Sequence, residues 1–380
     1  MKRILIFSLS YYPHMSGAEW AVKYITDRIS PADIEFHMIT LRFGSSDAAE
    51  ERVGNVHVHR VGRGGGYLSK ILFVPRAVYK ATVLHRQKKF DAFWALMSYM
   101  LFPIVLLRYQ GRGIRVPYVL TLQDGDLFSY VFNRPHIALL RPLLSLGFRK
   151  AAVIQVISHF LAAWPRAFGY KGTIEVIPNG VDRMHFSGQR IPHPEPTLIT
   201  TSRLVRKNAI DDVIRALAHL PGVRFVVLGA GEEEQTLKAL AQGCGVADRV
   251  EFVGLVENKD IPAYLHKADI FIRPSRSEGL GTSFIEAMAA GLPVIATQEG
   301  GIKDFLFDAK RNPDKEPTGW AVDKNSPGQI VAAVREILEN PEATQKVVEN
   351  AKRMVHEQYD WDMIAHHMQK RVFNTVLTTK

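Results

Sequence analysis

Two glutamates separated by seven residues give this sequence its strongest chemical signal. Glu278 follows an apolar run, and Glu286 lies inside the amphipathic segment that comes next. Between them, Gly281 lets backbone approach a ligand closely, and the N–H groups of Thr282 and Ser283 at a helix start can bind a phosphate. A carboxylate beside that phosphate can accept hydrogen bonds from two neighbouring hydroxyls, such as those of a ribose. The segment as a whole favours this interpretation over ordinary helix capping.

Basic residues follow an earlier apolar run at 198–201. Arg203 can hold two phosphate oxygens with its forked guanidinium, and Lys207 can add a point charge. Gly229 opens a further strand-to-helix turn, which is weak evidence alone because such turns occur in most α/β proteins. A solvated loop in which Asn208 caps the next helix is also compatible with these residues. We expect Arg203 and Lys207 to neutralise a diphosphate.

A pair of carboxylates in the first half suggests a different chemistry. Asp124 and Asp126 have the spacing of a divalent-cation site that bridges a diphosphate. Asp and Gly are equally the expected residues of a turn at a strand end. Since Arg203 and Lys207 already serve a diphosphate, we predict a turn or an acceptor-site role for this pair, and no metal.

Short apolar runs alternate with helix-length amphipathic segments along the whole chain, a pattern typical of parallel, doubly wound sheets. We predict an α/β fold of two Rossmann-like domains facing each other across a cleft. The predicted organisation is a first domain at 1–187, a polar, proline-rich linker at 188–196, a second domain at 197–360, and a C-terminal helix at 361–380 that packs back on the first domain. The predicted strands lie at 4–9, 35–41, 56–61, 92–97, 118–122, 153–157, 174–177, 198–201, 224–228, 250–253, 270–273 and 294–296.

Positive charge is concentrated in the first half of the chain. Residues 1–190 carry 25 Lys and Arg against 12 Asp and Glu, a net +13, whereas the remainder has a net −3. Such a surface attracts nucleic acid, anionic lipid or a phosphorylated substrate. Because the chain lacks the interleaved aromatic and basic residues of RNA-binding modules, we predict no nucleic-acid partner and keep an anionic membrane surface as a candidate partner.

The composition is that of a globular protein from a reducing compartment. Apolar residues make up 47% and charged residues 23% of the chain, which excludes disorder and coiled coils. Cys244 is the single cysteine, so an internal disulfide and a paired-cysteine zinc site are excluded. No apolar run reaches the roughly 20 residues that span a bilayer. We expect a cytoplasmic protein, attached peripherally if it meets a membrane.

Taken together, these segments resemble the retaining glycosyltransferases of family four, which have the GT-B fold. The segments that carry the resemblance are 13–19 and 177–182 in the first half, and 202–207, 229–232, 278–286, 293–296 and 300–301 in the second. They cover essentially the whole chain, and the Glu278–Glu286 block is their most specific part.

The resemblance implies that the protein transfers a hexose, with retention of configuration, from a nucleoside diphosphate sugar to a glycan or lipid-diphosphate-linked acceptor. Surface polysaccharide or glycolipid synthesis would be its setting, and no metal or other cofactor is implied. The implied catalytic residues are Glu278, Arg203 and Lys207. The implied donor-binding residues are Gly17, Arg203, Lys207, Gly229, Glu278, Gly281, Thr282, Ser283 and Glu286. A weaker acceptor or sugar pocket comprises Ser16, Gln123, Asp124, Asp126 and Asn179.

Three positions depart from the family pattern. Ser16 stands beside Gly17 where members often have paired glycines, Asn208 occupies the usual lysine position, and Gln123 replaces a histidine. A glutamine can hydrogen-bond a sugar but cannot carry a proton at neutral pH. Two alternatives therefore stay open: a catalytically inactive nucleotide-sugar-binding protein, and a GT-B nucleotide-sugar 2-epimerase.

Overall fold

The computed structural model describes residues 1–109 and 113–378 and divides the chain into two compact units. The first unit comprises Met1–Asn179 and the segment from Trp361 onward, and the second comprises Gly180–Asp360. The strands are β1 (Lys2–Phe7), β2 (Ile34–Leu41), β3 (Glu50–Val53), β4 (Val56–Val61), β5 (Ala92–Leu96), β6 (Tyr118–Leu122), β7 (Val153–Val156), β8 (Thr173–Val176), β9 (Thr197–Thr201), β10 (Arg224–Leu228), β11 (Val250–Gly254), β12 (Ile270–Arg273), β13 (Val294–Thr297) and β14 (Trp320–Val322).

Helices connect most of the parallel strands, as βαβ units require. They are α1 (Gly17–Asp27), α2 (Tyr67–Lys88), α3 (Leu101–Tyr109), α4 (Phe128–Phe132), α5 (Pro135–Leu139), α6 (Arg141–Lys150), α7 (His159–Ala167), α8 (Arg183–Phe186), α9 (Ile210–Leu217), α10 (Glu234–Gly243), α11 (Ile261–Leu265), α12 (Thr282–Ala290), α13 (Pro327–Glu339), α14 (Pro341–Gln358), α15 (Trp361–His367) and α16 (Asn374–Thr378). A π-helical segment, Met368–Phe373, joins α15 to α16.

The first unit is built on an eight-stranded sheet with the order β3-β4-β2-β1-β5-β6-β7-β8. Its strands are parallel except at the edge, where β3 pairs antiparallel with β4. Strand β1 is apolar and buried from Ile4 onward, and β5 and β6 are buried throughout and almost wholly apolar, because helices cover both faces of a parallel sheet. The strand order reverses next to β1, so the loops after β1, β5 and β6 reach one sheet edge, where α/β proteins bind ligands.

The C-terminal segment packs against the first unit. Trp361 stacks on Tyr24 of α1 with ring centroids 4.9 Å apart, and Phe373 meets the buried Trp94 edge-on at the same distance. Met368 and Val372 are fully buried in the same core. Residues 379 and 380 of the predicted C-terminal segment lie outside the described residues.

A histidine cluster, formed by His37, His57 and His59, lies on neighbouring strands β2 and β4. His37 bonds to the carboxylate of Glu35 at 2.7 Å and to the ring of His59 at 3.0 Å, and its ring stacks on His57. His59 in turn bonds to Glu50 at 3.1 Å. Burial lowers the pKa of His37 to about 4, although Glu35 opposes the shift, so the ring is neutral at neutral pH.

The second unit is built on a six-stranded parallel sheet with the order β11-β10-β9-β12-β13-β14. The order reverses between β9 and β12, which makes the edge beyond these two strands the topological switch point. Apolar residues of α9, α10 and α13 pack on the sheet and form a core of its own. The loops after β9 and β12 are therefore placed side by side where such sheets bind ligands.

The segment predicted as a linker belongs to the second unit. The Ile191 N–H donates to the carbonyl of His266 at 2.8 Å, and the His193 ring bonds to Asp269 at 2.6 Å. Arg190 also pairs with Asp269. These bonds hold residues 190–193 against the second unit, and the boundary between the units falls earlier, between Asn179 and Gly180.

Within the described residues, no helix combines the length and the apolar character that crossing a membrane requires.

Candidate functional site

Hydrogen bonds tie together the loops at the carboxyl edge of the second sheet. The Arg276 N–H donates to the carbonyl of Lys207 at 2.6 Å, which joins the loop after β12 to the loop after β9. The Gly301 N–H donates to the carbonyl of Glu278 at 3.0 Å, which joins the loop after β13 to the same place. Sequence segments nearly 100 residues apart thus form one continuous rim at the switch point.

Two glycines allow this close packing. Gly229 follows β10 with φ of 134°, and a Cβ there would overlap the carbonyl oxygen of Ser202. Gly281 has φ of 86° as the residue before α12, and a Cβ there would press on the Phe284 ring and lie 3.1 Å from Arg273 Nη2. Side chains other than glycine would be both strained and obstructed at these positions. The glycines therefore fix how closely the loops approach.

Arg273, which sequence reasoning missed, is the buried centre of this region. Its side chain is 6% exposed, and Nη2 donates to Glu278 Oε2 at 2.7 Å. Nη1 donates to Ser283 Oγ at 2.8 Å and to the carbonyl of Thr201 at 3.1 Å. The guanidinium also lies over the Phe284 ring, 4.2 Å from its centroid. One cation thus joins the end of β9, the loop after β12 and the start of α12.

Glu278 and Glu286 have different surroundings. The Glu278 carboxylate pairs with Arg273 and accepts a second bond from the Gly279 N–H at 2.9 Å. Glu286 is half-buried as a residue, and its carboxyl forms no hydrogen bond with any residue that the structure describes. Burial raises the pKa of Glu286 to about 7, although Arg273 opposes the shift. Glu286 therefore keeps hydrogen-bonding capacity that the protein itself does not use.

The predicted phosphate-binding cations lie on the loop after β9. The Arg203 side chain is exposed and forms no hydrogen bond or ion pair within the described part of the chain, whereas Lys207 is half-buried. The Asn208 side-chain amide donates to the carbonyl of Arg203 at 2.7 Å and so shapes the loop. Thr282 and Ser283 begin α12 as predicted, and the first N–H groups of a helix have no carbonyl acceptor within the helix.

Predicted residues of the sugar pocket also meet in the first unit. The Asn179 side-chain amide donates to Gln123 Oε1 at 3.0 Å, which joins the loop after β6 to the loop after β8. Asp124 and Asp126 line a neighbouring cavity of about 310 Å³, together with Ser98 and Arg134. We call it the polar cavity after these charged side chains, although apolar residues such as Phe132 and Leu144 form most of its lining, and it lies at the carboxyl ends of β5 and β6. Its carboxylates suit a ligand rich in hydroxyl groups.

Ser16 and Gly17 lie at the start of α1, after β1. The Glu19 carboxylate accepts bonds from the Ser16 N–H at 2.8 Å and from the Ser16 hydroxyl at 2.5 Å, so Ser16 caps the helix. A Cβ at Gly17 would meet nothing within 4 Å. The space beside Gly17 is open, and the Ser16 side chain is engaged in capping.

Metal-binding residues do not cluster in the described ranges. Residues 1–109 and 113–378 contain no group of three or more His, Cys, Asp or Glu placed to hold an ion. Asp124 and Asp126 remain a pair of carboxylates in the polar cavity.

Comparison with known families covers nearly the whole chain. Residues 15–184 match glycosyltransferase family 4, and residues 182–354 match the family described as glycosyl transferases group 1.

Two curated relatives illustrate the similarity. A Mycobacterium tuberculosis protein, named GDP-mannose-dependent alpha-(1-6)-phosphatidylinositol monomannoside mannosyltransferase, is 32% identical over 284 residues, which is 69% of this chain and 71% of that protein. A Corynebacterium glutamicum protein, named GDP-mannose-dependent monoacylated alpha-(1-6)-phosphatidylinositol monomannoside mannosyltransferase, is 24% identical over 97% of both chains.

Two solved structures share the fold. Sucrose-phosphate synthase from Thermosynechococcus elongatus superposes with a TM-score of 0.86 at 20% identity and covers 100% of both chains. Anabaena HepE, solved in complex with UDP and glucose, superposes with a TM-score of 0.76 at 19% identity, covering 98% of this chain and 100% of that one.

Proposed function

This chain belongs to glycosyltransferase family four, the group 1 glycosyl transferases, and on that premise we propose that it transfers a hexose from a nucleoside diphosphate sugar to a lipid-linked or glycan acceptor with retention of configuration. The predicted family, the GT-B fold class and the predicted transferase class are confirmed by the comparisons. The two alternatives, a binder and an epimerase, gain no support from the relatives named above.

The donor diphosphate lies, in this proposal, on the loop after β9 and the start of α12. Arg203 supports this role because its guanidinium is exposed at the switch point and has no competing partner among the described residues. Lys207 adds positive charge from the same loop. The Thr282 and Ser283 N–H groups bind the distal phosphate at the helix N-terminus. Charge-assisted bonds of this kind neutralise a diphosphate without a metal ion.

Glu286 holds the ribose hydroxyls in this proposal, and Glu278 contacts the donor sugar. A Glu286 carboxyl with unused hydrogen-bonding capacity suits two neighbouring hydroxyls. Glu278 is held in one orientation by Arg273 and the Gly279 N–H, and a fixed carboxylate directs a sugar hydroxyl with little loss of entropy. Arg273 is thus a positioning residue, and Gly229 and Gly281 keep the loops close enough to form the site.

The transfer step breaks the bond between the anomeric carbon and the diphosphate oxygen. The acceptor hydroxyl oxygen bonds to the same carbon from the same face, and its proton passes to the leaving diphosphate. Negative charge grows on that diphosphate as the bond breaks, so Arg203 and Lys207 stabilise the transition state more than the ground state. Arg203 and Lys207 are accordingly the catalytic cations of the proposal.

The acceptor is assigned to the first unit. Gln123 and Asn179 already bond to each other, and Asp124 and Asp126 share the polar cavity, so these residues offer a surface for sugar hydroxyls. Ser16 and Gly17 lie at the carboxyl end of β1 on the same sheet, where open space beside Gly17 admits a ligand.

An anionic membrane surface is the further partner proposed, with the protein at a cytoplasmic membrane face. Arg86 and Lys89, at the end of α2, are exposed cations. Lys88 lies 3.9 Å from the carboxylate of Glu35, which neutralises part of its charge. Each cation near an anionic leaflet contributes about 1 kcal/mol of attraction, which salt screens. The exposed pair should therefore contribute more than Lys88.

The observation that carries this function is the single rim that Arg273 and Arg276 build from the loops after β9 and β12. A thermal-shift panel of nucleoside diphosphate sugars tests it, because ligands that bind the native state raise the melting temperature. GDP-mannose comes first, since both curated relatives are named as GDP-mannose-dependent. We expect one donor family to stabilise the protein and to label a lipid acceptor; a panel without any stabilising donor would contradict the proposal.

A further inference from the structure

An apolar groove of about 590 Å³ lies in the first unit, outside the residues assigned so far. Its walls come from the first half of α2 and from α3, with residues of α5 and the turn after it closing the side. The apolar side chains that define it are Tyr67, Ile71, Val74, Pro75, Phe102 and Leu140. Its volume lies within the roughly 300–1,000 Å³ of small-molecule sites.

The mouth of the groove is unusually apolar for a surface. Tyr67 is 72% exposed and Ile71 is 48% exposed, and both line the groove. Leu140, which also lines the groove, is 40% exposed. Exposed apolar side chains that converge on one concave site mark a place where an apolar ligand is removed from water.

The apolar groove adjoins the polar cavity. Tyr99, Phe102 and Ile137 line both, so the two spaces share a wall. Asp124 and Asp126 lie on the polar side, where carboxylates can accept bonds from sugar hydroxyls. A ligand that fits both spaces has a hydroxyl-rich head and an apolar chain.

Two cations add charge complementarity. Lys70 lines the apolar groove, and Arg134 lines the polar cavity, where its guanidinium stacks on Tyr130 at 4.4 Å from the ring centroid. Each space thus has a lining cation that can pair with an anionic group, such as the phosphate between the head and the chain of a lipid.

We propose that the apolar groove binds one hydrocarbon chain of the lipid acceptor while the polar cavity receives its sugar head group. This inference rests on the proposed function and adds the chain-binding site to it. It makes the lipid itself a recognised part of the acceptor, distinct from attraction of the protein to a bilayer surface.

Binding of monomeric n-alkyl glucosides tests the proposal without any donor. Octyl, decyl and dodecyl glucosides are titrated below their micelle-forming concentrations by calorimetry. Burial of each added methylene in the groove should tighten binding about fourfold, until the chain exceeds the groove. A dissociation constant that does not change with chain length would overturn the proposal.

Matched variants on α2 separate the groove from the general surface. Ile71→Asn should abolish the chain-length dependence, whereas Leu72→Asn, at a neighbouring exposed residue that does not line the groove, should preserve it. Tyr67→Ala and Tyr79→Ala form a second pair, with side chains 72% and 73% exposed, of which only Tyr67 lines the groove. Equal effects within both pairs would indicate nonspecific surface binding and overturn the proposal.

Donor assays distinguish a failure of the groove proposal from a failure of the proposed function. If chain-length dependence fails while transfer from a nucleoside diphosphate sugar to an acceptor persists, the groove assignment alone is wrong. If chain binding and its loss in Ile71→Asn are observed without any transfer, the groove stands and the proposed activity is wrong.

Discussion

Removing the Arg273 guanidinium should destabilise the second unit far more than removing an exposed arginine. In Arg273→Met, the unbranched side chain can still pack on Phe284. The variant loses the ion pair to Glu278 and the bonds to Ser275, Ser283 and the Thr201 carbonyl. The four groups that remain are left at the switch point without their common donor.

The magnitude follows from burial. Removing one partner of a buried ion pair costs about 3–5 kcal/mol, because the other charge stays behind without compensation. The Glu278 side chain is 16% exposed, so water can solvate part of its carboxylate and the lower end, about 3 kcal/mol, is expected. Removing the Glu278 charge as well, with Glu278→Gln, should recover part of this loss as a coupling of about 0.5–3 kcal/mol.

The assay is urea unfolding monitored by hydrogen exchange of peptides from the second unit, because this exchange reports the stability of the second unit separately from that of the first. Arg224→Met is the matched control: Arg224 lies in the same sheet, is 46% exposed and sits 3.9 Å from Glu195, so it should cost less than about 1 kcal/mol. An Arg273→Met loss no larger than that of Arg224→Met would refute the argument.

Three further predictions concern other sites. Glu286→Ala should weaken nucleoside diphosphate binding roughly ten- to hundredfold in a folded protein, and wild-type binding should tighten as pH rises through about 7, where Glu286 ionises. Calorimetry across that pH range measures both effects, and an unchanged affinity would contradict the assignment of Glu286 to the ribose. Because the folded state resists protonation of His37, the first unit should lose stability as pH falls from about 6.5 to about 4, by up to about 1.4 kcal/mol per pH unit. In urea unfolding, His37→Asn should flatten this slope, and an equal slope in both proteins would contradict the role given to His37. Cosedimentation with anionic vesicles should weaken sharply between low and physiological salt, and it should weaken further when Arg86, Lys88 and Lys89 become Gln, with nucleotide binding unchanged. Equal binding to neutral and anionic vesicles at low salt would exclude the anionic membrane surface as a partner.

The predicted elements match the structure best where local signals agree. Residues 270–273 form β12 as predicted, because three consecutive apolar residues are followed by one cation and then by a proline. Helix α12 has the bounds that Gly281 and Gly291 imply, since both glycines adopt the left-handed conformation at its ends. The loops after β9 and β12 meet because parallel strands deliver their carboxyl ends to one edge.

What the sequence could not show depends on tertiary contacts. Strand β3 is short and charged, and it pairs only at the sheet edge, so no apolar run marks it. The predicted linker has linker composition, yet bonds to Asp269 hold it against the second unit. Arg273 is a cation at the end of an apolar strand, and that anomaly was the available signal; its partners Glu278, Ser283 and Thr201 are visible only in three dimensions.

The most direct test of the account is acceptor-dependent release of nucleoside diphosphate, measured with a chelator present. The wild-type protein is incubated with the nucleoside diphosphate sugar that stabilises it, with and without a lipid acceptor. We predict that the acceptor accelerates release, that the chelator leaves the rate unchanged, and that Arg203→Ala loses most of the activity while remaining folded. Release that ignores the acceptor, or that needs added manganese or magnesium, would contradict a metal-independent transferase built on Arg203 and Lys207.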